Sequence, residues 1–153
     1  MTDHSHGATR RAFLGTIAGG VALSVLPGVS LADEAMVAAE IKKIAGDKPI
    51  KDGKIKLDLP SIAENGLVVP LAFEVESPMT EADYVKAVHF FADGNPSPMI
   101  ASFAFTPMAP KAAAAIRIRL AKTQNIVALA EMSNGEFYRA SKEVKVTIGG
   151  CGG

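Results

Sequence analysis

The chain has 153 residues and one cysteine, and its 16 basic and 16 acidic side chains give a formal net charge of zero. A balanced charge excludes a general electrostatic attraction to nucleic acid or to anionic lipid. A single cysteine excludes an internal disulfide, and this length is enough for one domain with a hydrophobic core but not for two.

Residues 1–32 have the features of an export signal. Arg10 and Arg11 stand directly before an apolar run of 14 residues, from 13 to 26. That run is shorter than the roughly 20 residues that a membrane-spanning helix needs, so we expect no retained membrane anchor. Small residues predict cleavage after Ala32. The arginine pair, followed by phenylalanine and leucine, resembles the twin-arginine signal.

A twin-arginine signal implies that the protein is exported to the periplasm already folded, which usually means that a cofactor or a partner travels with it. The alternative is a plain basic leader for secretion of the unfolded chain. Cleavage leaves 121 residues with 14 basic and 15 acidic side chains, because two arginines and one aspartate leave with the leader. We expect residues 33–148 to form a single domain.

The mature chain begins with a predicted helix over residues 34–45. Val37, Ile41 and Ile44 lie on one face of it, and Gly46 ends it. After this helix the apolar residues recur with the period of two that is typical of half-buried strands.

Seven strands are predicted in the rest of the chain, with turn-forming residues between them. The pair Asn134-Gly135 lies between two apolar runs and predicts a tight hairpin. Short strands at near-regular spacing, without alternating long helices, indicate a mainly β fold, most plausibly an immunoglobulin-like antiparallel β-sandwich of about seven strands. The predicted strands span residues 55–59, 67–75, 84–92, 99–106, 115–121, 125–132 and 136–148.

Some of these strands have apolar residues on both faces. Val88, Phe90, Ile100 and Ala104 form a surplus that suits either a subunit interface or a strand that the chain itself covers completely.

The final strand leads directly into a glycine-rich tail, residues 149–153, with the sequence GGCGG. Val144, Val146 and Ile148 alternate with polar residues, so we expect the sheet to hold the chain to within one residue of the tail. Five extended residues reach roughly 16 to 18 Å, and glycines can pass through narrow channels. The tail is therefore predicted to be a flexible carrier arm, formed by Gly149, Gly150, Gly152 and Gly153, that presents Cys151 to another protein.

Cys151 has no neighbouring side chains with which to pack, which argues against a buried structural cysteine. The nearest cation in the sequence is Lys145, and an unperturbed cysteine has a pKa of about 8.5. We therefore expect other proteins to activate this thiol. The sequence shows no haem attachment motif, phosphate loop or catalytic triad, so we do not expect an enzyme that acts alone.

The ending VKVTIGGCGG over residues 144–153, behind a twin-arginine leader and a small β domain, resembles the SoxY family of sulfur-carrier proteins of periplasmic thiosulfate oxidation. The resemblance implies that Cys151 binds sulfur covalently, as thiosulfonate and persulfide adducts, with no intrinsic cofactor. It also implies a heterodimer with SoxZ, a second β-sandwich subunit that has no export signal.

Three enzyme partners are implied in the same way. A haem c enzyme joins thiosulfate oxidatively to the cysteine, a manganese-dependent hydrolase releases sulfate, and a sulfur dehydrogenase oxidises the remaining persulfide. Persulfidation is a reversible modification of a thiolate, so this cycle is chemically reasonable for one cysteine.

Three other interpretations are weaker. Ubiquitin-like carriers also end in two glycines, but they require ATP-dependent activation in the cytoplasm, which the leader contradicts. An exported sandwich that uses Cys151 only for intermolecular disulfide crosslinking is the main alternative. A metal carrier would have to recruit Cys151, His89 and methionines, without any ligand spacing. We predict instead that His89 is a buried, hydrogen-bonded strand residue and that the methionines fill gaps in the core, namely Met79, Met99, Met108 and Met132.

Overall fold

The computed structural model describes residues 33–149. The leader, with Arg10 and Arg11, lies outside the described residues. The same is true of Gly150, Cys151, Gly152 and Gly153. What the sequence predicts for the leader and for these four residues therefore stays a prediction.

The predicted helix is confirmed as α1, Glu34–Ala45. Asp33 caps its first turn, because the Asp33 side chain accepts a hydrogen bond of 2.9 Å from the Met36 N–H. Gly46 ends the helix with a φ of 64°, in the left-handed region that favours glycine. Val37 and Ile41 are buried as expected.

Nine strands follow the helix. The seven predicted strands are present, with bounds that differ by up to three residues at either end. Two further strands, β1 and β3, contain three and four residues and pair in parallel with β9. They are too short to show a period in the sequence. The strands are β1 Ile50–Asp52, β2 Ile55–Asp58, β3 Ile62–Asn65, β4 Val69–Val75, β5 Val85–Ala92, β6 Met99–Ala104, β7 Ala112–Ile118, β8 Gln124–Met132 and β9 Phe137–Ile148.

The strands form two sheets that pack face to face as an immunoglobulin-like β-sandwich. The larger sheet has the order β1-β9-β8-β5-β6, with β3 also paired to β9, and the smaller has the order β2-β4-β7. Apart from β1 and β3, all neighbouring strands are antiparallel. The fold class expected from the sequence is confirmed.

The main core lies between the two sheets. Alternate residues of β4 point into it, and Leu71 and Phe73 are almost completely buried. The Phe73 ring packs against Phe90 of β5 and Phe103 of β6, with centroid separations of 4.9 and 5.1 Å in tilted arrangements. Such aromatic pairs add stability beyond that of area burial.

A second apolar cluster lies on the outer face of the larger sheet, where α1 covers it. Val37 and Ile41 of the helix share this cluster with Phe91, Leu129 and Phe137. The pairing register between β5 and β6 shifts between Phe90 and Phe91. Because successive side chains of a strand point to opposite faces, Phe90 enters the main core and Phe91 enters this outer cluster.

The positions of the two apolar clusters show which of the surplus apolar residues the chain covers itself. Val88 and Phe90 are fully buried in the main core, and Ile100 is partly buried against it. Ala104 remains exposed at the end of β6. The chain itself therefore covers Val88 and Phe90, between the two sheets, while α1 covers other residues on the outer face.

The hairpin predicted at Asn134-Gly135 joins β8 to β9. Gly135 has a φ of 82°, which a residue with a side chain rarely adopts. The Met132 N–H donates to the Glu136 carbonyl at 2.9 Å, and the Gly135 N–H donates to the Met132 carbonyl at 3.0 Å. The hairpin is confirmed.

Candidate functional site at the base of the tail

Strand β9 leads to the tail and is the longest strand of residues 33–149, with 12 residues. It pairs with β8 along its first two thirds, with β1 at its start and with β3 at its end. The strand continues to Ile148, so the predicted root of the tail is confirmed up to the residue before Gly149. Val144 is fully buried, but Ile148 is 67% exposed. Burial of Ile148 therefore does not hold the end of the strand.

Backbone hydrogen bonds hold that end instead. The Gly66 N–H donates to the Ile148 carbonyl at 2.8 Å, and the Gly66 carbonyl accepts from the Leu120 N–H at 2.7 Å. We call the meeting point of these segments the tail base, and it consists of Gly66, Leu120, Ala121, Ile148 and Gly149. Two residues before Ile148, the Val146 N–H donates to Thr123 Oγ1 at 2.9 Å.

Gly149 approaches the backbone of the segment before β8 very closely. A Cβ atom built on Gly149 would lie 2.2 Å from the Ala121 carbonyl oxygen and 3.2 Å from its carbonyl carbon. Real Cβ atoms essentially never approach this closely. The obstructing atoms belong to the backbone, so no rotation of a side chain can make room for a larger residue here.

A pair of buried side-chain amides also binds the segment that contains Ala121. Asn95 and Gln124 are both 4% exposed, and Gln124 Nε2 donates to Asn95 Oδ1 at 2.9 Å. Asn95 Nδ2 donates to the Arg119 carbonyl at 2.8 Å, and Asn95 Oδ1 also accepts from the Ala121 N–H at 3.0 Å. Buried amides whose groups are satisfied in this way fix the local backbone.

The sequence did not reveal this pair. Asn95 lies in the loop between β5 and β6, and Gln124 is the first residue of β8. Neither residue belongs to a motif, and their contact depends on how two loops meet in the folded protein. Neither residue belongs to a hydrophobic period, so the pattern of the sequence could not identify them.

His89 lies on β5, apart from the tail base. It is half-buried, and its Nδ1 lies 2.9 Å from Ser102 Oγ of β6. Burial lowers the pKa of His89 below its usual value of 6.5, and the charge of Glu131 opposes this shift. The prediction of a hydrogen-bonded strand histidine is confirmed, although burial is partial.

The methionine prediction is right for two residues and wrong for two. Met79 and Met132 are buried in the main core. Met108 is 93% exposed and Met99 is 37% exposed, because they lie in a turn and at the start of an edge strand. Among residues 33–149, no three histidine, cysteine, aspartate or glutamate side chains are grouped so that they could hold a metal ion. No helix in that part of the chain is long and apolar enough to cross a membrane.

The fold and the tail base define a small immunoglobulin-like domain that presents its C-terminal end from a fixed point. The family model described as sulfur oxidation protein SoxY matches residues 41–151. The sulfur carrier protein SoxY from Chlorobium limicola f thiosulfatophilum is 36% identical, with a TM-score of 0.63 over 74% of this chain and 98% of that one. The chain belongs to the SoxY family.

More distant structures share only the fold. The superoxide reductase (neelaredoxin) from Ignicoccus hospitalis is 17% identical, with a TM-score of 0.56 over 76% of this chain and 94% of that one. A putative superoxide reductase from Thermotoga maritima is 16% identical, with a TM-score of 0.51 over 63% of this chain and 93% of that one. A comparison with curated proteins found no match.

Proposed function

We propose that this protein is a non-catalytic sulfur carrier of the periplasmic Sox cycle, which binds thiosulfate-derived sulfur covalently on Cys151 and presents it to the enzymes of the cycle. One observation supports this proposal most strongly: the SoxY family match extends over residues 41–151 and so includes the cysteine. The tail base adds physical support, because a carrier must hold the root of its arm while the end of the arm enters another protein.

The chemistry requires little of the carrier itself. Attachment joins the Cys151 thiolate to the outer sulfur of thiosulfate, forms one sulfur–sulfur bond and releases two electrons, which a haem c enzyme accepts. Water then attacks the terminal sulfonate group in a manganese-dependent hydrolase, which releases sulfate and two protons and leaves a persulfide on the cysteine. A sulfur dehydrogenase oxidises that persulfide. The first hydrolysis and the oxidation alter the adduct while the bond between Cys151 and its sulfur stays intact, and hydrolysis of the fully oxidised adduct then breaks that bond and regenerates the thiolate.

The proposal extends to export and to the permanent partner. The leader with Arg10 and Arg11 takes the folded chain to the periplasm, together with a SoxZ-like subunit that has no signal of its own. Export as a folded pair explains why a protein without an intrinsic cofactor uses a route for folded proteins.

Intact mass spectrometry of the protein isolated from the periplasm tests the carrier function. After growth or incubation with thiosulfate and the haem c enzyme, we expect mass additions of thiosulfate-derived sulfur that a reductant removes. Cys151→Ala is the control and should show none of them.

The same experiment separates the carrier from the main alternative. If the wild-type protein shows only the unmodified mass and a disulfide-linked dimer, its cysteine serves for crosslinking and the carrier function is wrong.

A further inference from the structure

We propose that Gly149 is part of the rigid domain and not of the moving arm, and that Asn95 and Gln124 are positioning residues for the tail. This inference rests on the proposed carrier function and deepens it. It assigns a role in sulfur transfer to residues of the domain that lie outside the tail, and it moves the start of the arm to Gly150.

The first argument is steric. With 2.2 Å between a Cβ at residue 149 and the Ala121 carbonyl oxygen, only glycine fits against this segment. Gly149 has no positive φ, so the unusual backbone angles that often explain a glycine do not explain this one. Close approach of two backbones is a physical reason for a glycine here that does not depend on the flexibility of the arm.

The second argument is that the obstructing segment cannot easily move aside. Every residue from 119 to 122 has a backbone group in a hydrogen bond to Gly66, Asn95 or Gln124. The Arg119 carbonyl and the Ala121 N–H are bonded to Asn95, the Leu120 N–H is bonded to Gly66, and the Lys122 carbonyl accepts from Gln124 Nε2 at 3.1 Å.

The amide pair is itself held firmly. Gln124 Oε1 accepts a hydrogen bond of 2.8 Å from the Gly94 N–H, in the turn that also contains Asn95. A Cβ on Gly94 would lie 2.9 Å from the Cβ of Gln124. The turn after β5 therefore packs directly against the first residue of β8. The two amides connect this turn to residues 119–122, the segment that Gly149 approaches.

A fixed Gly149 shortens the reach of the tail. From Gly149 to Cys151 the chain advances by two residues, so their Cα atoms are at most about 7 Å apart. If Gly149 were also free, the distance from Ile148 to Cys151 would be three residues, or about 10 to 11 Å. With so short a reach, a small displacement of the root displaces the thiol by a comparable distance, and misplacement of a reacting group by 1 Å can cost about 100-fold in rate.

Hydrogen exchange tests the steric part of the inference without reference to sulfur chemistry. In the full mature protein, Gly149→Ala should speed exchange at the Leu120 and Ala121 amides by about tenfold or more, because the added Cβ displaces the segment. Gly152→Ala adds the same methyl group three residues further along and should leave both amides unchanged. Equal exchange in wild type and Gly149→Ala would show that Gly149 is not held by this segment.

Hydrolysis of the thiosulfate-loaded carrier by its hydrolase tests the positioning part. Gly149→Ala and Gln124→Ala should each slow release of sulfate about 10- to 100-fold, measured as the second-order rate constant. Both changes act on the same segment, so the double variant should be less than additively impaired. Reaction of Cys151 with a small disulfide reagent should stay within twofold of wild type, because that reaction needs no positioning.

The outcomes separate this inference from the function on which it rests. If wild type accepts no thiosulfate sulfur, the carrier function and the positioning role fall together, whereas the exchange result still decides whether Gly149 belongs to the domain. If wild type transfers sulfur normally and both variants match it, the carrier function stands and the positioning role is wrong. Slower reaction with the small reagent would place the effect on the thiol itself and would also contradict positioning.

Discussion

A single partly exposed carboxylate connects β1, the hairpin before β9 and the start of β9. Glu136, in the hairpin before β9, accepts hydrogen bonds from the Lys51 ammonium of β1, from the Tyr138 hydroxyl at 2.9 Å and from Asn134 Nδ2 at 3.4 Å. These donors, Lys51 foremost, lower the pKa of Glu136 from its usual value of 4.5 to about 2. Through this residue, the short parallel strand β1 is tied to the hairpin.

The lowered pKa predicts a pH dependence with a definite sign. Because the pKa is lower in the folded state, Glu136 stabilises the fold fully above pH 4.5, and that contribution is lost as the pH falls from 4.5 towards 2. Glu136→Gln should therefore lower the urea midpoint at pH 7, and the difference from wild type should shrink at pH 3. The pair is exposed, so we expect a small effect.

Glu81→Gln is the matched control for this prediction. Glu81 is exposed and makes no hydrogen bond among residues 33–149. Its replacement should therefore leave the urea midpoint the same as in wild type at both pH values. A difference between wild type and Glu136→Gln that stays the same from pH 7 to pH 3 would contradict the assignment.

The helices, strands and turns that the sequence predicted well are those with a regular hydrophobic period or a strong turn signal. The helix bounds, the Asn134-Gly135 hairpin and the course of β9 follow from such local patterns. The strand predicted from Leu67 begins only at Val69, because the Leu67 N–H is bonded to Asn65 Oδ1 in a turn. Local turn chemistry thus overrode an alternating pattern.

The candidate site was predictable only in part, for a related reason. The tail and its strand can be seen in the sequence because they are contiguous. The contact of Gly149 with Ala121 and the pairing of Asn95 with Gln124 join residues that are distant along the chain, and no local pattern encodes them. Such contacts are fixed by tertiary packing alone.

The role of helix α1, which is to cover the outer face of the larger sheet, can be tested by substitution. Its residue Ile41 is 8% exposed and packs in the outer cluster with Phe91 and Leu129. Ile41→Ala removes buried methyl groups and leaves a cavity, so it should lower the free energy of unfolding by about 2 to 4 kcal/mol in chemical denaturation. Met36→Ala, on the same helix but 40% exposed, should cost less than about 1 kcal/mol. Equal costs would mean that the helix does not cover the sheet in solution.

In the molecule as a whole, the residues that stabilise the fold are separate from the residue that is proposed to react. The main core lies between the two sheets and the outer cluster lies under α1, and both consist of residues of the domain, whereas the proposed reactive group belongs to the tail. A carrier needs this separation, because its cysteine must pass through several chemical states while the domain stays the same. The single thiol also means that sulfur chemistry cannot scramble a disulfide within the domain.

The proposed route of export gives a prediction at this scale. Replacement of both Arg10 and Arg11 by lysine should leave the precursor in the cytoplasm, because the twin-arginine signal depends on that pair. A SoxZ-like partner without its own signal should then stay in the cytoplasm too, which immunoblots of periplasmic and cytoplasmic fractions would show. Arrival of the partner in the periplasm in the absence of this chain would sink the idea of joint export.

The pairing of β9 has a mechanical consequence. An enzyme that draws the arm into its active site pulls on β9 along the axis of the strand. Since β9 is bonded to β1, β3 and β8 at different points of its length, a pull along the strand loads many hydrogen bonds together in shear. The resistance of a fold to pulling depends on its barrier to unfolding. We therefore expect β9 to resist a pull along its axis more strongly than a pull across the sheet.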